Sequence, residues 1–210
     1  LVTTVFVVGM GNISTETGTQ QFTSGLPSEE ALEDVQREFS PSFSPDTSST
    51  SLIQREPNVL SKQSMLRMLR LQHRVDKRAD MRVQSTGSAA TLVARQIDPG
   101  AETIDAQITT LERATPTEIR RAVRTIAATN DRFDGLLSND FNRQSASASA
   151  TIGSITHEVP AGISSGSGQS GDSPLTAIQQ RIQTIDNSVD GEIVVFGGGI
   201  IAQEFSSVLT

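Results

Sequence analysis

Hydroxyl and apolar side chains alternate without a break from Ser145 to Ile152, which reads Ser-Ala-Ser-Ala-Ser-Ala-Thr-Ile. A period of two predicts a strand with one dry and one wet face. Ala146, Ala148, Ala150 and Ile152 point inward in this reading, and Ser145, Ser147, Ser149 and Thr151 point outward. The inward side chains are small, so a helix can lie close against them. Ser173-Pro174 opens a segment that sets Ile178, Ile182, Ile185 and Val189 on one helical face. An apolar run of strand length follows, Glu192-Ile193-Val194-Val195-Phe196. The second half therefore reads strand, helix, strand, with the small inward residues facing the Ile178–Val189 helix.

The first half repeats the unit. Ser28 caps a helix with Glu29 and Glu30 in its first turn, and Ala31, Leu32, Val35 and Phe39 form its apolar face. Thr50–Glu56 is a strand centred on Leu52 and Ile53, and Pro57-Asn58 breaks it. Ser61 then caps a long helix with Met65, Leu66, Leu69 and Val75 buried. Ala79–Ser85 resumes extended structure, with Met81 and Val83 on one side. Helices fill the middle: Ala89–Ile97, stopped by Asp98-Pro99-Gly100, then a second one marked by Ile104, Ile108 and Leu111. Thr115-Pro116-Thr117-Glu118 is a capping box with proline at the first helical position, which opens a third helix burying Ile119, Val123 and Ile126. Asn130-Asp131 ends it, and Leu136–Asp140 forms a turn into the alternating strand. Pro160–Ser173, rich in Gly and Ser, reads as a surface loop.

Composition narrows the chemistry. There is no Cys, Trp or Tyr, so the core is aliphatic and neither a disulfide framework nor a thiolate site exists. A net charge of −7 argues against nonspecific nucleic-acid binding. Lys62 and Lys77 are the only lysines, and acidic residues outnumber basic ones. Salt adaptation and a GC-rich genome both account for that balance.

Candidate sites are few. Gly197, Gly199 and Ala202 follow an apolar run and satisfy the dinucleotide pattern G-x-G-x-x-G/A, like the second nucleotide motif of flavin disulfide reductases. No ribose-binding acid follows about 20 residues on, as that motif requires. The competing reading is a tight turn that uses glycine for positive φ. Gly9 and Gly11 also follow an apolar run, but Asn12–Gly25 carries no helical periodicity. His73 and His157 have no His or Cys partner at metal-ligand spacing, and His157-Glu158 reads as a solvated strand end. Arg67, Arg70, Arg74 and Lys77 line one helix face without interleaved aromatics, a solvated face and not a nucleic-acid stripe. Asp186, Asp190 and Glu192 gather near a turn as a weak cation candidate. The sequence assigns no catalytic, cofactor-binding or metal residue.

Leu1–Met10 is almost wholly apolar, too short for the roughly 20 residues a bilayer span needs, and without the basic start of a signal peptide. It reads as a buried strand or the trimmed end of a membrane helix. This start, Glu16-Thr17-Gly18-Thr19 and the acidic helix after it resemble the exit from the first membrane helix of RND (resistance-nodulation-division) exporters, especially the archaeal and MmpL-like branch. Leu52-Ile53-Gln54-Arg55-Glu56 and Val59-Leu60-Ser61 are similar to the first strand–helix pair of their porter domains. Val83-Gln84-Ser85-Thr86 with Ala90-Thr91-Leu92-Val93 resembles the next strand and a helical insertion. The Ser145 strand, the Ile178–Val189 helix, the Val194 strand and Gly199–Leu209 are similar to the second half.

The resemblance implies an α+β fold: two βαβ halves in a mixed, ferredoxin-like sheet with helices on one face and a helical insertion at about 89–128. Residues 1–12 would be the membrane-helix end or a strand, 13–198 the porter domain, and 199–210 a helix toward a following span. It implies an extracytoplasmic, non-enzymatic domain at the cell membrane that guides or gates hydrophobic or lipid-like cargo. Its partners would be membrane helices and a second porter domain of the same transporter, a homo-oligomer being compatible. It implies no cofactor and no nucleic acid. The alternative is a nucleotide-binding α/β fragment that uses Gly197, Gly199 and Ala202.

Overall fold

Four strands pair into one sheet in the order β2-β3-β1-β4, where β1 is Ser49–Arg55, β2 Val83–Gly87, β3 Ala150–His157 and β4 Ile193–Phe196. The structure, a computed structural model, describes residues 49–158, 174–186 and 193–197. The apolar start, the helix after Ser28, the Pro160–Ser173 loop, Val189 and Gly199–Leu209 lie outside the described residues. Every pairing is antiparallel, which corrects the expected mixed sheet. β1 and β2 both run against β3, so the two are parallel to each other with β3 between them. β3 and β4 are likewise parallel, with β1 between them.

Among the described residues six helices accompany the sheet: α1 (Lys62–Asp76), α2 (Ala89–Ile97), α3 (Ile104–Arg113), α4 (Pro116–Thr129), the single turn α5 (Asp131–Asp134) and α6 (Pro174–Asp186). Their starts follow local chemistry. The hydroxyls of Ser61, Ser88, Thr103 and Thr115 each accept a backbone N–H of the first turn of α1, α2, α3 and α4. Each satisfies one of the orphan donors that a helix start leaves open. No helix among the described residues is long and apolar enough to cross a membrane.

Helix α1 is shared by two cores. Met68, Leu71 and Val75 pack onto the sheet with Leu52, Ile155, Val195 and the α6 residues Ile178 and Ile182. Met65, Leu66 and Leu69 turn to a second cluster built from Val93, Leu111, Val123, Ile126 and Phe133 of α2 to α5. Phe133 meets Phe141 edge-on, with ring centroids 5.9 Å apart. The far face of the sheet carries a small apolar group, Ile53, Ala150, Ile152 and Phe196.

Three local expectations need correction. Ala79–Met81 is a 3₁₀ turn, and Arg82 sits at φ 47° before β2 begins. Ladder pairing of β3 starts at Ala150, not Ser145. Ser149 N–H goes to the Asp140 carboxylate and Ala150 N–H to Ser138 Oγ, while Asn142 pairs with Ser147 across a turn in which Ala146 has φ 53°. Side-chain acceptors have taken the donors that a longer ladder would use.

The third correction concerns the faces. Ala146 and Ala148 are buried, but against the helical cluster of α2 to α5 and not against α6. Ala150 and Ile152 lie on the far face of the sheet. The face toward α1 and α6 carries Thr151, Gly153, Ile155 and His157, and Thr151 is buried where exposure was expected. The close helix approach is real, but it occurs at Gly153: a Cβ there would stand 2.8 Å from Met68 Sδ.

Candidate functional site

The side chains with the richest chemistry sit where α1 crosses the sheet. At the end of β1, Glu56 accepts from Ser64 Oγ at 2.5 Å and from Gln54 Nε2 at 2.7 Å, and pairs with Arg67. Gln54 also donates to the Ser64 carbonyl at 3.0 Å, so strand and helix are stitched at one point. Gln72, wholly buried, donates to the Gly87 carbonyl at 2.9 Å, and its Oε1 lies 3.4 Å from the Ser88 hydroxyl that caps α2. Gln72 is thus a buried polar group with partners, which is how polar groups persist inside a protein, while the Gln54 side-chain oxygen is buried without one.

His157 overturns its expected solvation: it is 1 % exposed at the end of β3. Its Nε2 is 2.8 Å from Thr50 Oγ1 and its Nδ1 2.8 Å from the Met81 carbonyl. A carbonyl only accepts, so we assign the proton to Nδ1, leaving Nε2 to accept from the Thr50 hydroxyl. Burial lowers the pKa of the ring below its ordinary value, and the bond to Met81 only partly opposes this. The imidazole is therefore neutral and locked, with both nitrogens engaged, and serves as a strut between β1, β3 and the 3₁₀ turn.

The basic face of α1 is not simply solvated. Arg70 pairs with Glu112 at 2.8 Å and Lys77 with Asp105 at 3.4 Å. Lys62 Nζ donates to the Glu112 and Ala114 carbonyls at 2.6 and 3.0 Å. His73 Nε2 stands 2.9 Å from Asp105 Oδ1, within ion-pairing distance but without hydrogen-bond geometry. Together these tie α1 to α3. His73 and His157 share no partner, and no group of three metal-ligating side chains exists among the described residues. Of the Asp186, Asp190 and Glu192 cluster, 190 and 192 lie outside them.

The glycine turn has a packing explanation. A Cβ on Gly197 would fall 1.9 Å from Gln179 Nε2 of α6, and Gln179 is 1 % exposed. Gly197 has no φ in the left-handed range, so close approach and not positive φ requires glycine there. A dinucleotide motif needs its glycines open to a pyrophosphate at the end of a parallel strand. Here β4 pairs antiparallel with β1 and is at the sheet edge among the described residues, and the Gln179 amide fills the space beside the first glycine. Gly199 and Ala202 lie outside the described residues.

Sequence reasoning missed His157, Gln72, Gln54 and Gln179 as buried polar struts. The only signal was their position inside or beside otherwise apolar runs. No family model, no curated protein and no solved structure matches the chain.

Proposed function

We propose that this chain is an extracytoplasmic porter-type domain of an RND exporter, which guides or gates hydrophobic or amphiphilic cargo and performs no chemistry itself. The carrying observation is the order of connections. β1-α1-β2 and β3-α6-β4 each join two parallel strands that are separated by a strand of the other unit. This supports a split βαβ pair of the ferredoxin-like kind, with α1 and α6 on one face. The helices α2 to α5 fall between β2 and β3, where the resemblance puts an insertion. The polar groups described above are spent on structure, which agrees with a domain that moves cargo by shape change.

The test uses the full-length protein that carries this chain, produced in cells. It should fractionate with membranes, expose the chain to protease added outside intact cells, and lower accumulation of a hydrophobic dye until a protonophore collapses the gradient. A product found in the soluble fraction, or dye levels equal to those of cells without it, would sink the proposal.

A further inference from the structure

The outer face of α4 carries an arginine cluster that forms no ion pair among the described residues. Thr117, Arg120, Arg121, Arg124, Thr125 and Thr129 line an open groove of about 690 Å³. A second hollow, lined by Arg124, Arg143 and Gln144, adjoins it through Arg124. The chain carries a net charge of −7, yet residues 113–132 hold five arginines and only two carboxylates. One of the two, Glu118, is turned back onto Thr115 N–H and Oγ1 at 2.7 and 2.8 Å.

Several basic side chains elsewhere find acids: Arg67 with Glu56, Arg70 with Glu112, Arg181 with Asp80, Arg143 with Asp134. No carboxylate of the described residues lies within ion-pairing distance of Arg120, Arg121 or Arg124. Arg120 has only the Thr117 hydroxyl at 3.4 Å, and Arg124 donates to the Gln144 carbonyl. The buried face of α4 is Ile119, Ala122, Val123, Ile126 and Ala127, so these arginines contribute nothing to the core.

We propose that this groove is a binding site for a phosphate-bearing anion. Guanidinium groups present planar forks of donors that match the oxygens of phosphate, and Arg120 and Arg124 lie one helical turn apart on the same side. The hydroxyls of Thr117 and Thr125 add single donors, while that of Thr129 is donated to the Thr125 carbonyl at 2.9 Å. Among the described residues no aromatic side chain lines the groove, so it offers a nucleobase no aromatic platform. The recognised chemistry is the phosphate group itself, on a soluble ligand or on a lipid headgroup. This inference is independent of the transport reading.

The experiment titrates the full chain with inorganic pyrophosphate by calorimetry. In parallel it measures co-sedimentation with phosphatidylglycerol vesicles, using phosphatidylcholine vesicles as the neutral control. Pyrophosphate binding without vesicle binding identifies a soluble ligand; selective retention on phosphatidylglycerol identifies a headgroup. Arg120→Gln with Arg121→Gln should weaken whichever probe binds by about tenfold or more, since each change deletes a charge-assisted contact. Arg70→Gln, at a paired position on α1, should leave it unchanged. Melting curves check folding, and should the double variant melt early, the two single variants replace it with a loss of about threefold each. Absence of binding to both probes, or equal binding by wild type and the Arg120 and Arg121 variants, overturns the site.

Discussion

The helical layer, α2 to α5, and the sheet with its two covering helices are held together in different ways. Each of the three longer helices of the layer begins at its own cap, Ser88, Thr103 or Thr115, a side chain three residues from the N–H it accepts. The sheet region relies on contacts between distant parts of the chain: Thr50 with His157, Gln72 with Gly87, Met68 against Gly153, Gln179 against Gly197. One region is specified locally and repeatedly. The other depends on a few positions at which two elements meet, and each is specified only once the fold exists.

The two regions share α1, and the largest effect is expected where the helical layer has its one large fully buried ring. Phe133→Ala removes a side chain at 0 % exposure that packs on Phe141. Such a truncation typically costs about 3–5 kcal/mol. Denaturant unfolding measures it. A loss below about 1 kcal/mol would mean that the cluster collapses onto the gap and that the layer is held by its caps more than by its core.

The next prediction tests the faces of β3. Gly153→Val forces a branched side chain into the space of Met68 and Gln72, an overpacking of about 1–3 kcal/mol. Ser154→Val next to it, on the exposed side, should stay within about 0.5 kcal/mol. Equal losses would show that the two sides of β3 are equally packed.

This pair also explains what the sequence could and could not reveal. The alternation from Ser145 to Ile152 correctly marks buried alanines, but Ala146 and Ala148 serve the helical cluster, and Ala150 serves the far face of the sheet. Alternation marks the alanines as buried but misses Thr151, and it does not identify which partner buries a residue, because β3 is dry on both faces from Ala150 to Gly153. The helix starts were legible because a cap and the donor it satisfies lie in one turn of chain. His157 was not, because its partners Thr50 and Met81 lie 107 and 76 residues away. The expected positive φ at Gly197 was not the reason for glycine there; its cause, Gln179, came only with packing.

His157 makes the sheet region sensitive to acid just below pH 6.5. Its folded pKa is lowered by burial, while in the unfolded chain it takes a proton near pH 6.5. The stabilisation is therefore complete above about pH 6.5 and is lost as pH falls from there toward the folded pKa, with a slope of at most about 1.4 kcal/mol per pH unit. His157→Gln should flatten this part of the stability–pH curve. Because His73 is present in both proteins, the difference between the two curves isolates His157. Parallel curves would mean that the buried ring takes up its proton as readily as an exposed one.

The smallest effect belongs to the most local device. Thr115 Oγ1 accepts from Glu118 N–H at 3.2 Å, and Glu118 Oε2 accepts from Thr115 N–H at 2.7 Å, so both orphan donors are closed within four residues. Thr115→Ala should cost about 1 kcal/mol, within the usual range for a lost cap, and should do so wherever α4 happens to pack. The backbone bond from Thr115, and then its hydroxyl, hold the Glu118 carboxyl below its usual pKa. Its contribution is present above the ordinary carboxylate range and is lost as pH falls through the lowered value. Glu118→Gln keeps the geometry and drops the charge, so it should lower neutral-pH stability by the amount the wild type loses in acid, and the two stability–pH curves should meet at low pH. If Thr115→Ala is instead as damaging as Phe133→Ala, then α4 depends on its cap to dock, and the layer is not a set of separately specified helices.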